Sequence, residues 1–339
     1  MHLTLVLPNL LDASPAALAV ADAAALSRLL STDTAPPTHF GGLLALACAG
    51  LGIARQYDWP AAPWLARAAG IDPGDRYWLR AEPASLEVGR VDARLAAIVG
   101  DLDADESAAL LSTLRAHFTS DGIEWVEREP GSWWFSLAEP QRIETSPPDA
   151  AFGKPLIAHL PRGDDAARWR RWQSEMQMLL FEHPVNRARE KSGRSAVNHL
   201  WIWGGGTLGE VDPAMRVGSV FAASTLIAGL ARAVGAQVAA LPASFASFRA
   251  AATHASALVW LDPLGPHSPE QELTAFDRDW AAPLERALDK RELDLRFVIG
   301  GSSAALSFTA CARNAMQRLR RRWSPPPRLG ERLAAIPDV

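Results

Sequence analysis

Residues 183–206 read HPVNRAREKSGRSAVNHLWIWGGG, a stretch whose side chains could do chemistry. Asn186, Arg187 and Asn198 offer amide and guanidinium N–H groups in fixed geometry, as a small anionic ligand would require. Gly204, Gly205 and Gly206 follow an aromatic strand, where backbone N–H groups can cradle a phosphate. The pattern is neither GxGxxG nor a Walker loop, and no Lys follows it, so a tight strand exit is the competing explanation. Trp201 and Trp203 stand two apart and therefore share one face of a strand, as core or as a ligand platform. The asparagines have an ordinary alternative too, since at loop ends they satisfy backbone groups.

A second candidate is LDPLGPH, which places Asp262 and His267 just after an apolar strand, where α/β folds bind ligands. An Asp and a His there could hold a metal or move a proton, but a metal site needs further ligands. Turn-forming roles are the alternative. GxSxG, HExxH, EF-hand and Walker patterns are absent. The helix predicted over 311–322, within CARNAMQRLRRRW, is basic and amphipathic. It suits nucleic acid, acidic lipid or simply a solvated outer face.

These residues need a scaffold, and composition supplies one. The 339 residues are 48% hydrophobic and 21% charged, enough for one large or two smaller cores. A net charge of −4 gives no general attraction to nucleic acid or anionic membrane, so neither is expected as a direct primary partner. Residues 1–160 carry −9 and residues 161–339 carry +5, an asymmetry that solvated faces explain. Cys48 and Cys311, with no Cys/His spacing, exclude a disulfide framework and a thiolate zinc site. No apolar run is long enough to span a bilayer, and the start MHLTLVLPNLLDASP lacks a basic region and cleavage pattern, so the expected location is the cytoplasm.

The elements follow from periodicity. LTLVL at 3–7 reads as a buried strand, and helices are predicted over 15–30, 40–50 and 62–69. Strands at 76–80, 85–88, 93–99, 122–127 and 132–137 surround a helix at 104–118 capped by Asp103, a compact α+β unit. After 160, a helix at 165–181 ends before Pro184. Then strand and helix alternate: strand 199–203, helix 217–233, strand 237–241, helix 246–252, strand 256–261, helix 269–289, and strands 294–299 and 304–309. Apolar strands such as ALVWL and LRFVI predict a mainly parallel sheet covered on both faces. The predicted fold is a three-layer α/β/α core from 1–72 and 152–323, an α+β insertion over 73–151, and a Pro-rich tail over 324–339.

The same residues carry a family likeness. HPVN, the Arg-rich stretch ending in VN, and the aromatic strand leading to WGGG resemble the "HPVN…N…WGxG" block of archaeal-type, cofactor-independent phosphoglycerate mutases of the alkaline phosphatase superfamily. MRVGSVFAASTLIAGLARAVGAQVAALPA, LVWLDPLGPHSPEQELTAFDRDWAAPLERAL and YWLRAEPASLEV resemble further parts of that family, including its inserted domain. With MHLTLVLP and DAARWRRWQSEMQMLLFEHPVN the pattern also resembles the RpfE-type regulatory proteins, which are often labelled mutase-like. The resemblance to the mutases implies an alkaline-phosphatase-like core and a Ser nucleophile activated between two metal ions. Departures accompany it. The acidic DGxGD after strand one is replaced by LPNLLDA, FVIGGSSAAL puts Gly300 and Gly301 where a late Asp-His pair belongs, and only Asp262 and His267 map onto the ligand set. The expectation is therefore a catalytically degenerate, regulatory or binding protein with no cofactor, no bound metal and a partner protein. A RecJ-type exonuclease is one partner to test. The alternative is a phosphoryl-transfer enzyme with a rewired pocket built from Arg80, Asn186, Arg187, Asn198, Trp203, Gly204 and Gly206; a third is an adaptor for protein or nucleic acid.

Overall fold

The computed structural model describes residues 1–30, 38–40, 42–90, 92–262, 269–301, 305–310 and 328–334. It divides into two compact units, Met1–Gly52 with Pro213–Val339, and Ile53–Asp212.

The first unit is built on a seven-stranded sheet with β1 (His2–Leu7) at its centre. On one side β1 pairs in parallel with β10 (Ser256–Trp260), followed by β8 (Ser219–Ala222) and β9 (Gln237–Ala239), both also parallel. On the other side it pairs in parallel with β11 (Asp294–Gly300), beyond which β12 (Ala305–Ala310) and β2 (Thr38–Phe40) run antiparallel. The unbroken apolar runs arise because both faces are covered. One face carries Leu3, Leu5, Leu7, Val259, Phe297 and Ile299. It is packed by α1 (Pro15–Val20), α2 (Ala24–Leu29), α10 (Phe245–Ala251), α11 (Pro269–Phe276) and α12 (Ala282–Asp289). On the opposite face Leu258 meets Gly50, at the end of α3 (Leu43–Gly50). Helix α9 (Thr225–Ala233) lies against β8 and β9.

Three expectations are corrected here. The single helix expected over 15–30 is two, broken at 21–23, because the first N–H groups of α2, at Ala25 and Leu26, are capped by the distant Asp277 carboxylate at 3.2 and 2.7 Å. The helix expected from 217 begins only at Thr225, with Ser224 as its N-cap, because SVFA forms β8. The segment 269–289 is helical throughout, but it passes through a π-helical turn at Asp277–Ala281. The basic helix expected over 311–322 lies outside the described residues; a last helix, α13, spans Leu329–Ala334.

The second unit is organised around β3 (Tyr77–Val88). Its first half pairs with β6 (Ser132–Leu137), its second half with β4 (Ala93–Ile98), and its other edge with β7 (His199–Gly206), all antiparallel. The strand β5 (Glu124–Glu129) extends the sheet beyond β6. Helices α5 (Ala104–Phe118) and α7 (Ala166–Phe181) cover one face, burying Leu114, Phe118, Trp169, Trp172 and Met176 against Phe135, Leu200 and Ile202. Asp103 caps α5 in a capping box with Glu106, as its sequence predicts. Helix α4 (Ala61–Ala68) packs Ala62 and Ala66 with Trp78 and Trp134 on the other face. A short helix, α6 (Pro148–Ala151), follows the sheet, and α8 (Pro184–Lys191) follows α7.

Here too the alternation misleads. The strand expected at 199–203 among the parallel strands runs on to Gly206 and joins the antiparallel sheet, and α4, α7 and β7 pack together there. The units part at 52/53 and 212/213, whereas the sequence predicts boundaries at 72/73 and 151/152. The two strands expected at 76–80 and 85–88 are one. Pro83 sits where the pairing on one side changes from β6 to β4, and its carbonyl accepts from Val99 N at 2.8 Å.

Candidate functional site

The carboxyl edge of the parallel sheet is where this architecture places ligands. It is formed by the turns after β1, β10 and β11. After β1, Asn9 donates from Nδ2 to Asp262 Oδ2, which follows β10, so two loops are tied across the sheet edge. Asp12 lies in the one-turn helix Leu10–Asp12. After β11, a Cβ at Gly300 would stand 2.8 Å from the Pro8 carbonyl oxygen and 2.7 Å from Leu43 Cδ2. One at Gly301 would stand 2.8 Å from Asp12 Oδ1 and 3.0 Å from Leu11 Cβ. The Pro8 carbonyl closes Gly300 to a side chain, whereas at Gly301 the tightest neighbour is the end of the Asp12 side chain, which can swing aside. His267 lies outside the described residues. Among the described residues no group of three or more His, Cys, Asp or Glu converges as a metal site would require.

Among the described residues, this edge offers too few donors for a pair of divalent ions. Each prefers about six oxygen or nitrogen donors, several of them anionic. The described turns bring Asp12, Asp262 and the neutral Asn9, while Gly300 packs on the Pro8 carbonyl and Gly301 on side-chain atoms of Leu11 and Asp12.

The 183–206 block lies in the second unit. His183 caps α8, with Val185 N donating to its Nδ1 at 3.3 Å, and Pro184 opens the helix. Asn186 and Arg187 thus lie on a helix rather than at a loop end. Asn186 is buried and ties chain to chain: Nδ2 donates to Leu180 O and Val197 O, both at 2.7 Å, and Oδ1 accepts from Val197 N at 2.8 Å. Asn198 does the same for β3, accepting from Leu86 N at 2.7 Å and donating to Leu86 O at 2.9 Å. Arg187 is exposed on α8. The residue that organises this block is Arg189, which sequence reasoning passed over. Fully buried, it donates to Glu106 Oε2 at 2.6 Å, to the Asp101 carboxylate and to Ser195 O, while Arg194 holds the other Glu106 oxygen. Charge alternation in NRAREKSGR and the cap residue Glu106 were its only sequence signals.

Arg80 and Trp203 do come together, as register partners on β3 and β7. The Arg80 guanidinium lies 4.0 Å from the centroid of the Trp134 ring, pairs with Glu82 at 3.4 Å and donates to Ser132 Oγ at 3.1 Å. Burial pulls its pKa down, and Glu82 opposes that shift. Trp201 and Trp203 share a face as predicted, and both are buried; Trp201 Nε1 donates to Ser146 O. The three glycines are explained by packing. Gly204 has a φ of 75° and faces Ala61 and Ala62. A Cβ on Gly205 would meet Tyr77 Oη at 2.1 Å, and one on Gly206 would meet Pro60 Cβ at 2.3 Å. The strand can approach Tyr77 and Pro60 only without side chains.

Behind these glycines lie buried polar groups with unusual electrostatics. Asp58 accepts from Trp59 N at 2.8 Å, Thr145 N at 3.0 Å and Thr145 Oγ1, and Thr145 Oγ1 accepts from Gly204 N. Burial outweighs these bonds and pushes the carboxyl up to about 6. Burial, together with Asp58 and Asp165, also pushes the Tyr77 phenol up. His199 has no hydrogen-bond partner on either ring nitrogen among the described residues, and burial holds it at about 4, neutral at pH 7.

No family model matches the chain. Among curated proteins, the 2,3-bisphosphoglycerate-independent phosphoglycerate mutase of Methanothrix thermoacetophila is 37% identical over 101 residues, covering 29% of this chain and 26% of the relative. The enzyme of the same name from Methanosarcina mazei is 24% identical over 204 residues, 58% of this chain and 46% of the relative. The chain is phosphoglycerate mutase-like. These matched segments span between a quarter and a half of the relatives' length. Among solved structures, a cofactor-independent phosphoglycerate mutase from Thermoplasma acidophilum aligns over 91% of this chain and 89% of its own, with 17% identity and a TM-score of 0.47. A protein from Pyrococcus horikoshii aligns over 91% and 87%, with 16% identity and a TM-score of 0.50, a likeness of fold. None of these similar proteins bears a regulatory name, so the resemblance to RpfE-type regulators finds no support among them. Among the described residues of this mutase-like chain, no helix is long and apolar enough to cross a membrane.

Proposed function

We propose that this mutase-like protein does not perform two-metal phosphoryl transfer and acts instead by binding, in a regulatory role toward a partner protein. The observation that carries this reading is the turn after β11. Gly300 and Gly301 stand where the mutase resemblance calls for an Asp-His pair, and a Cβ at Gly300 would stand 2.8 Å from the Pro8 carbonyl oxygen, so backbone leaves a ligand side chain no room there. Without that pair, Asp12 and Asp262 cannot hold two divalent cations against their hydration. A rewired phosphoryl-transfer pocket draws less support. Asn186 and Asn198 have both amide atoms engaged by backbone, and Arg80 is held by Glu82, Ser132 and the Trp134 ring.

The test is turnover. The purified full chain, supplied with Mn²⁺ or Mg²⁺, is assayed for interconversion of phosphoglycerates and against a panel of phosphoesters. The reading predicts no activity above a metal-only control. Activity that rises with added Mn²⁺ and disappears in Asp262→Asn would overturn it.

A further inference from the structure

A helix that covers one face of a sheet turns its other side to water, and that side is ordinarily polar. Helix α7 follows the rule only in its first half. Its inner side buries Trp169, Trp172 and Met176. Its outer side runs at steps of three and four through Ala167, Arg170, Arg171, Ser174, Met178 and Phe181, all exposed. Met178 and Phe181 stand one turn apart and are 71% and 74% exposed. Single apolar residues on a surface need no explanation, but two neighbours on one rigid face do.

The charges on this helix also run against its own dipole. Free N–H groups gather at the start of a helix and free carbonyls at its end, so acidic groups belong in the first turn and basic ones in the last. Here the first turn has no acidic residue and the last turn no basic one. Arg168, Arg170 and Arg171 crowd the amino half, while Glu182 is the C-cap. Asp165 relieves Arg168 and Glu175 relieves Arg171, each at 3.4 Å. Arg170 and Glu182 have no ion-pair partner among the described residues.

We propose that the outer side of α7 pairs two copies of this chain, laid antiparallel about a two-fold axis at Ser174. Each arginine half then lies along the carboxyl end of the other helix, and the two dipoles oppose. Phe181 and Ala167 are equally far from the axis, so a large side chain of one copy covers a small one of the other. Met178 falls beside the aliphatic stem of Arg171. At the axis Ser174 donates back to the Arg170 carbonyl at 3.0 Å, which keeps the crossing point narrow. From Ala167 to Phe181 the face is about 21 Å long at 1.5 Å per residue. Helices packed over that length bury roughly 400–500 Å² on each copy, the lower limit for a specific interface, so the pairing is reversible. It goes beyond the binding role proposed above and stands whether or not the chain has mutase activity.

Sedimentation velocity of the full chain, from about 1 to 300 µM, tests it. A monomer–dimer equilibrium is expected, weakened about tenfold or more by Phe181→Glu, with circular dichroism checking that the exposed substitution leaves the fold intact. In a Cys311→Ser background, Ser174→Cys sets two thiols at the axis, and diamide should convert them to a disulfide-linked dimer. Arg67→Cys, exposed on α4 across the sheet, should give none. A chain that stays monomeric to about 300 µM would overturn the proposal. So would a dimer that Phe181→Glu leaves intact in a folded protein, or cross-linking of Ser174→Cys no greater than that of Arg67→Cys.

Discussion

Replacing Gly205 by Ala tests whether the glycine run is a packing device or a phosphate loop. The new Cβ would lie 2.1 Å from Tyr77 Oη, 2.9 Å from Tyr77 Cζ and 3.1 Å from Leu79 Cδ2, and both partners are buried. Forcing a methyl into a packed interior costs about 1–3 kcal/mol. Loss of glycine's freedom in the unfolded chain returns about 0.4–1 kcal/mol. The net expectation is a destabilisation of about 1–2 kcal/mol, or a fall in Tm of roughly 2–8 °C for a unit of this size. Urea and thermal unfolding measure it directly. Tyr77→Phe sharpens the test because it deletes the atom at 2.1 Å, and that hydroxyl has no hydrogen-bond partner among the described residues. The single Phe variant should be close to neutral. Combined with Gly205→Ala, it should recover about 1 kcal/mol but not all of the loss, since Cζ remains close. A phosphate loop would respond differently, with stability unchanged and anion affinity reduced. Unaltered unfolding of Gly205→Ala, or strict additivity in the double variant, would refute the packing account.

Further outcomes follow from the same geometry. Arg189→Ala removes a fully buried cation from Asp101 and Glu106 and should cost about 3–5 kcal/mol, toward the lower figure because Arg194 still holds Glu106; a loss under about 1 kcal/mol in chemical denaturation would contradict the ion-network reading. Asn186→Ala leaves Val197 N and the carbonyls of Leu180 and Val197 without their partner, and should destabilise by about 2–4 kcal/mol without altering any phosphoester assay. His199 is held near 4 when folded and returns to its ordinary value near 6.5 when unfolded, so stability is intact above that value and is lost as pH falls toward 4, by about 3 kcal/mol. Asp58 acts with the opposite sign: raised to about 6, it stabilises below its ordinary 3.8, and that contribution is lost as pH climbs through 6. Denaturation between pH 4 and 7 should thus depend more steeply on pH in Asp58→Asn than in the parent, with stability rising with pH, and His199→Phe should reverse that slope; identical profiles in all three would show that neither group titrates as its burial demands.

Periodicity made most elements legible, because amphipathic helices such as α5 and α7 carry their own caps and apolar stripes. It could not assign β7 to a sheet. All eight residues of HLWIWGGG are buried, and a strand covered on both faces looks alike in a parallel or an antiparallel sheet. A proline's missing N–H ordinarily ends a strand, yet Pro83 lies inside β3, at a change of neighbour. The break between α1 and α2 was hidden for another reason, since the capping Asp277 comes from the far end of the chain. At the candidate sites, spacing found the right neighbourhoods but could not separate donors that face a ligand from those that hold backbone. Asn186 and Asn198 proved to be staples. Gly300 and Gly301 are legible as missing ligands, but only the structure shows that the Pro8 carbonyl fills the place at Gly300.

The most direct test of the central claim is the metal stoichiometry of the full chain. After equilibration with Mn²⁺ and removal of free ion, elemental analysis should find far less than one equivalent per chain, and titration calorimetry should find no tight site. Two equivalents of tightly held Mn²⁺, reduced by Asp262→Asn, would contradict the account.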